Sequence, residues 1–156
     1  MNDMSFPLLS HRFRLVGIVL CILGIGLGVM RFVLGIKPAV LTVKVFAVYA
    51  LFFETRHFEV IQNNLTDEAA GILLFVGLAL WAVSRERHET DEVRNARCKA
   101  LFAALTVDAA LLLFAMASVF GLGFAAVLAG HLFSLPILYI GFYYWFLFRQ
   151  RRRQER

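Results

Sequence analysis

The chain has 156 residues, of which 60% are hydrophobic and 17% charged, and its formal net charge is +5. A mean hydropathy of +0.73 excludes an ordinary soluble domain, in which roughly 45–50% of residues are apolar. The apolar residues form long unbroken runs and do not alternate as the strands of a membrane barrel do. The sequence therefore predicts an all-α, polytopic integral membrane protein, a helical bundle with one membrane domain over 1–156.

Five apolar helices are predicted in chain order, and the first covers 15–36. At 1.5 Å per residue this run is about 33 Å long, enough to cross a hydrocarbon core of about 30 Å. Gly35 favours its end, and Pro38 suits the first turn of a second helix over 38–61. Because that helix carries Lys44 and ends in polar residues, it can instead lie on the membrane surface. Five spans are preferred over four spans plus a surface helix.

The remaining helices are predicted over 66–84, 91–120 and 124–148. The helix over 66–84 begins with Asp67 and Glu68, whose carboxylates complement the positive end of a helix dipole. Basic residues crowd the loop after it and form the tail 149–156. Since Lys and Arg mark the cytoplasmic side of membrane proteins, the loop and the C-terminus are expected in the cytoplasm and the protein in the inner membrane.

Small residues at helical spacing form a stripe along the first predicted helix: Gly17, Cys21, Gly24, Gly28 and Gly35. Small side chains allow another helix to approach closely, so the stripe predicts a packing seam. The other helix belongs either to the same bundle or to a second copy of the chain. Packing within the bundle is the favoured interpretation.

Four polar residues are predicted inside the membrane, namely Arg31, Lys44, Asp108 and His131. An ionised carboxylate there needs a partner. In the five-span arrangement Arg31 and Asp108 lie at similar depths and are expected to pair, and Lys44 is a second candidate partner. His131 could bind haem or a metal, but no second histidine lies in an apolar run, so a hydrogen bond to a neighbouring helix is favoured.

A polar cluster is predicted on the outer face, from Glu54, His57, Asn63, Asn64, Asp67 and Glu68. Glu54 and His57 supply one Glu-x-x-His unit, whereas a di-iron bundle requires two and further glutamates. The serines lack the sequence pattern of a nucleophile elbow. The sequence therefore predicts no catalytic residue, no cofactor and no metal site.

Several short segments resemble a group of small bacterial membrane proteins that is commonest in Bacteroidota and has no established activity. The similarity lies in Lys37-Pro38, Val45-Phe46-Ala47, Asn63 to Glu68, and the loop with Asp91-Glu92 and Arg97. The resemblance implies no catalytic or binding residue. It directs attention to the Asn63 to Glu68 segment and to the loop that follows the third predicted helix.

The function expected first is that of a small non-enzymatic multi-pass protein, a sensor, an accessory subunit or a self-associating bundle. Its expected partners are membrane lipids and either a second copy or a larger membrane complex, and no nucleic acid. The alternative is a small transporter of protons, ions or solutes that uses Asp108, Arg31, Lys44 and His131. A membrane enzyme acting on lipid or quinone ranks third, because so few helices leave little material for a substrate cavity.

Overall fold

The computed structural model describes residues 8–51, 55–87 and 90–154, without the side chains of 45–61, 153 and 154. The elements are α1 (Arg12–Phe32), a short 3-10 helix (Ala39–Leu41), β1 (Thr42–Leu51), β2 (Thr55–Asn64), α2 (Thr66–Val83), α3 (Asp91–Ser118) and α4 (Leu122–Gln154). Within the described part of the chain, four helices are long and apolar enough to cross a membrane. The prediction of a bundle of apolar helices is thus confirmed.

The surfaces of the helices are strongly apolar. Phe32, Phe114 and Leu122 are 75%, 71% and 91% exposed, and apolar patches of this kind are unfavourable in water. The most buried positions of α3 carry small side chains, Ala96 and Ala100, both 0% exposed. Small buried residues and large lipid-facing ones are typical of helices that pack within a bilayer.

The predicted second helix over 38–61 is wrong, and so is the count of five helices. The segment forms an antiparallel hairpin whose register runs from Thr42 opposite Asn64 to Leu51 opposite Thr55. In the described residues of this segment, 38–51 and 55–61, neither the fifth span nor the alternative surface helix is formed. The physical reason is that β1 is rich in β-branched and aromatic residues, which favour strands. In addition, the polar residues Thr55, Arg56 and His57 interrupt the apolar run before a helical span of about 20 residues is complete.

The chain divides into two compact units, and the first is Leu20–Leu74. It contains the hairpin with the adjoining parts of α1 and α2. Gly24 of α1 packs so closely on α2 that a Cβ atom there would lie 2.7 Å from the backbone nitrogen of Leu74. Arg31 near the end of α1 forms an ion pair with Asp67 near the start of α2.

The second unit comprises Met1–Val19 and Phe75–Arg156. Here α3 packs along α4, and Tyr143 of α4 lies against the small residues of α3. The described part of the N-terminal segment binds the end of α2, because the backbone of Leu9 accepts a hydrogen bond of 2.8 Å from Arg85. Glu86 then pairs with Arg14 at 2.8 Å and accepts a hydrogen bond of 3.3 Å from the Tyr143 hydroxyl.

Candidate functional site

Three polar side chains meet between α3 and α4, and we call them the Asp108 cluster: Asp108, His131 and Ser134. The Ser134 hydroxyl donates a hydrogen bond to Asp108 Oδ1 and lies 3.1 Å from His131 Nδ1. His131 Nε2 lies 3.2 Å from Asp108 Oδ2. The side chains of Asp108 and His131 are only 14% and 21% exposed, so the cluster is largely enclosed by apolar neighbours.

Helix geometry determines how deep the cluster lies. Asp108 is ten residues before the end of α3 and His131 is nine residues after the start of α4. At 1.5 Å per residue, these distances are about 15 Å and about 14 Å from the turn that joins the two helices. If α3 and α4 cross a hydrocarbon core of about 30 Å, the cluster lies near its centre, where ionisable residues are rare and costly.

A groove of about 770 Å³ adjoins the cluster, and Asp108 and His131 form part of its lining. Most of its walls are apolar side chains from three helices, including Phe75, Ala79, Leu101, Leu132 and Leu135. Its lining also includes Arg97, eleven residues before Asp108, which is about 16 Å along α3. The groove therefore has the volume of a small-molecule site, typically about 300–1,000 Å³, and its lining includes two polar side chains of the Asp108 cluster, Asp108 and His131.

The predicted pairing of Arg31 with Asp108 is wrong. Arg31 donates from Nε and Nη2 to the carboxylate of Asp67, the latter at 3.2 Å, while Asp108 accepts a hydrogen bond from Ser134 and lies 3.2 Å from His131 Nε2. The predicted pairing depends on five spans, and the hairpin in place of the second helix removes its basis. Lys44 is not on an apolar helix either, because it lies in β1, opposite Gln62 of β2.

The stripe of small residues on α1 is used in part for contacts with α2. A Cβ atom on Gly17 would lie 2.7 Å from the carbonyl oxygen of Gly77, and the buried Cys21 thiol lies 3.9 Å from the carbonyl oxygen of Leu74. Gly24 has the close contact described above. Gly28 and Gly35 have no such neighbour within 4 Å, and Gly35 has a φ of 68° in the turn after α1.

The structure describes the side chains of four members of the predicted outer polar cluster: Asn63, Asn64, Asp67 and Glu68. Asn64 is its most connected member: its amide donates to the carbonyl of Pro38 at 2.9 Å and to the Thr42 hydroxyl at 2.8 Å, and its oxygen accepts from Thr66. It therefore joins the start of β1 to the start of α2.

Other members of that cluster have separate roles. Asn63 donates to Glu68 at 3.2 Å on the surface, and Asp67 binds Arg31. Glu54 and the side chain of His57 lie outside the described residues. The described members thus connect the hairpin to the start of α2 and, through Asp67, to the end of α1.

Ser134 is the site residue that the sequence reasoning missed. It lies three residues after His131 on α4, so the two side chains share one helix face. That spacing was a usable signal, because a serine on the face of an intramembrane histidine can bond to it and to an acid on the next helix. The expectation that His131 bonds to a neighbouring helix agrees with its contact to Asp108.

Among the described residues, no group of three or more histidine, cysteine, aspartate or glutamate side chains is arranged to hold a metal ion. The Asp108 cluster has hydrogen-bonding groups but only two possible metal ligands of those types, Asp108 and His131. No protein-family model, no curated protein and no solved structure matches the chain.

Proposed function

We propose that this protein is a non-enzymatic, four-span membrane protein that binds a bilayer-soluble molecule in the groove beside the Asp108 cluster, and that it acts as a sensor or accessory subunit. The observation that carries the proposal is the apolar groove of about 770 Å³ with Asp108 and His131 in its lining. The ligand class that suits this lining best is an isoprenoid quinone.

The topology follows from an even number of spans, which leaves both ends of the chain on the same side. Arg12 and Arg14 before the apolar part of α1 then join the basic loop after α2 and the basic tail after α4. This arrangement places Arg12 and Arg14 on the side where Lys and Arg are in excess. Lys37 and Arg56 then lie on the opposite side, so the charge count alone nearly ties with five spans, and the hairpin decides for four. The hairpin lies on the opposite side, and the membrane is the bacterial inner membrane.

The ligand class follows from where the polar groups lie. A phospholipid keeps its headgroup at the interface, whereas Asp108 and His131 contact the groove near the centre of the hydrocarbon core. A quinone is apolar enough to dissolve in that core and has carbonyl oxygens that accept hydrogen bonds. Phe75 and Tyr139 in the lining offer aromatic faces to its ring.

The test is saturable binding of decylubiquinone to the full chain in lipid nanodiscs, measured by quenching of tryptophan fluorescence. Ala79 lies in the lining of the groove, so we expect Ala79→Phe to fill the space and weaken binding by about tenfold, which corresponds to about 1.4 kcal/mol. His131→Leu replaces a polar side chain of the lining by an apolar one and is expected to weaken binding to a similar extent.

The matched control is Ala109→Phe, because Ala109 is exposed on α3 and is not part of the groove. We expect this variant to bind decylubiquinone as the original chain does. Equal binding by Ala79→Phe and Ala109→Phe would contradict the proposal. So would a tightly held phospholipid that decylubiquinone does not displace.

A second candidate is a small transporter that couples solute movement to protons, and the specific observation that favours it is the Asp108 cluster in mid-span. A carboxylate and an imidazole in contact are typical of intramembrane proton relays. Proteoliposomes with an internal pH dye would show a protein-dependent proton flux that Asp108→Asn abolishes. A proton flux that Asp108→Asn leaves unchanged would exclude this candidate.

A further inference from the structure

We propose that the end of α4 binds the headgroup of an anionic phospholipid in the leaflet beside the basic tail. The site consists of two aromatic rings, each paired with an arginine, and we call it the headgroup site: Trp145 with Arg149, and Phe148 with Arg152. None of these four residues lines the groove, so the proposal goes beyond the proposed function. It shares with that function only the requirement that α4 crosses the bilayer.

The four side chains share one face of α4, because each ring is four residues before its arginine and the second pair follows the first by three residues. With 3.6 residues per turn, they fall within an arc of about 100°. Tyr143 is only 5% exposed, packs against α3 and lies on nearly the opposite face of α4, about 160° from Trp145. Trp145 and Phe148 are 50% and 56% exposed. The headgroup site therefore faces away from α3 and is open to lipid.

Each ring holds its arginine in a defined position. The guanidinium carbon of Arg149 lies 5.6 Å from the centre of the Trp145 ring, and that of Arg152 lies 4.4 Å from the centre of the Phe148 ring. Both distances are within the range of a cation–π interaction, about 6 Å. Because the ring precedes the arginine by one helical turn, the guanidinium group is directed back along α4 towards the bilayer and away from the water beyond the tail.

The depth of the two rings matches the headgroup layer. Trp145 and Phe148 are 23 and 26 residues after Leu122, where α4 begins, and at 1.5 Å per residue these are about 35 and 39 Å along the helix. With a typical tilt of about 20°, the rings are about 32 and 37 Å across the bilayer. The hydrocarbon core is about 30 Å thick, and the bilayer with its headgroups about 40–45 Å. If α4 begins at the far edge of the core, both rings therefore lie among the headgroups of the near leaflet.

The charge of the site favours an anionic lipid. The tail 149–156 contains five arginines and one glutamate. Among the described residues, neither Arg149 nor Arg152 forms an ion pair with a carboxylate. A guanidinium group matches the oxygens of a phosphate in both geometry and charge. The second guanidinium group then favours a headgroup with a net negative charge over a zwitterionic headgroup, because it would repel the cation of the zwitterion.

The test measures lipid preference at Trp145 in the full chain in phosphatidylcholine nanodiscs. The chain has two tryptophans, so Trp81→Phe leaves Trp145 as the single tryptophan. Quenching by phosphatidylglycerol with a nitroxide near the headgroup end of one acyl chain is compared with quenching by phosphatidylcholine that carries the same label. We expect a preference of at least about tenfold for phosphatidylglycerol, the equivalent of about 1.4 kcal/mol, which two arginines near a lipid surface can supply. Equal quenching by the two lipids would overturn the proposal.

Single substitutions locate the site on the helix. Arg149→Gln and Arg152→Gln should each lower the preference about fivefold, the equivalent of about 1 kcal/mol. The matched control is Arg151→Gln, which removes the same charge from an exposed position of the same turn. Because Arg151 lies on a different face and has Leu147 in place of a ring four residues before it, we expect a loss of less than about twofold. Equal losses at all three positions would indicate a general attraction of lipid to the tail and would overturn the proposal.

Removal of a ring tests the pairs without a change of charge. Phe148→Leu releases Arg152, so we expect the preference to fall about threefold, which corresponds to a cation–π interaction at an exposed site. Phe114→Leu, at an exposed position of α3, is the control and should leave the preference unchanged. If Phe148→Leu also has no effect, the rings do not position the arginines and the proposal fails.

Native mass spectrometry of the original chain provides a measurement that does not depend on Trp81→Phe. After release from nanodiscs with equal amounts of the two lipids, we expect the double variant Arg149→Gln with Arg152→Gln to retain one phosphatidylglycerol fewer than the original chain. Equal retention would contradict the site. Neither arginine lines the groove, so the double variant should bind decylubiquinone as the original chain does, and the two proposals are tested separately.

Discussion

Arg31, in the last turn of α1, forms a two-point ion pair with Asp67, in the first turn of α2. The hairpin lies between these two residues in the chain, so the pair links the helices that lead into it and out of it. Each charge also lies at the helix end whose dipole it complements. The side chains are 25% and 41% exposed, which limits the expected contribution to about 1 kcal/mol.

Asp67→Asn should therefore lower the free energy of unfolding in detergent by about 1 kcal/mol, measured from thermal unfolding. The exchanged double variant, Arg31→Asp with Asp67→Arg, keeps an opposite-charge pair but places each charge at the unfavourable end of a dipole. We expect it not to regain the original stability. Full recovery would show that the helix ends contribute nothing to this pair.

The close approach of α1 and α2 gives a second prediction. In Gly24→Ala the new Cβ atom would lie 2.7 Å from the backbone nitrogen of Leu74 and 3.0 Å from the carbonyl oxygen of Ala70, and backbone atoms cannot move aside cheaply. We expect a loss of about 1–3 kcal/mol, typical of overpacking. Gly28→Ala is the matched control, because no neighbour lies within 4 Å of its Cβ position, and its stability should not fall. Equal stability losses in the two variants would contradict the observed packing.

Asn64 gives a third prediction, because its amide group donates to both Pro38 and Thr42. Asn64→Asp replaces those donors by a carboxylate oxygen facing the Pro38 carbonyl, so we expect a loss of about 1–2 kcal/mol in unfolding free energy. The same change at Asn63 removes one surface contact to Glu68 and should cost less than half as much. Denaturant titration of both variants measures the difference, and a larger loss at Asn63 would refute the junction role of Asn64.

The helical character of the chain was predictable, because long apolar runs leave few alternatives in a bilayer. The prediction of a helix over 38–61 rests on the hydrophobicity of the run and on Pro38 as a helix start. Two features of this run favour strands over a helix. It is rich in β-branched and aromatic residues, and polar residues divide 38–64 into two segments of strand length. Strand propensity and length together would have favoured β1 and β2 over a helix.

Asp108 and His131 could each be identified as candidate site residues from the sequence, but their contact with each other could not. Asp108 and His131 stand out because ionisable residues are rare in apolar helices. Their contact could not be derived, because it depends on how α3 and α4 rotate against each other. That rotation is determined by small residues such as Ala96 and Ala100, which allow Tyr143 to approach. No single-residue pattern in the sequence specifies it.

The depth of the Asp108 cluster and of the groove beside it depends on four membrane crossings. The most direct test is labelling of single cysteines in intact cells with a membrane-impermeant maleimide, in a chain whose two native cysteines have been replaced by alanine. We expect Gln62→Cys, in the hairpin, to react from outside, and Ser10→Cys and Gln154→Cys to react only after the membrane is permeabilised. Labelling of Ser10→Cys and Gln154→Cys from opposite sides would contradict the four-span arrangement.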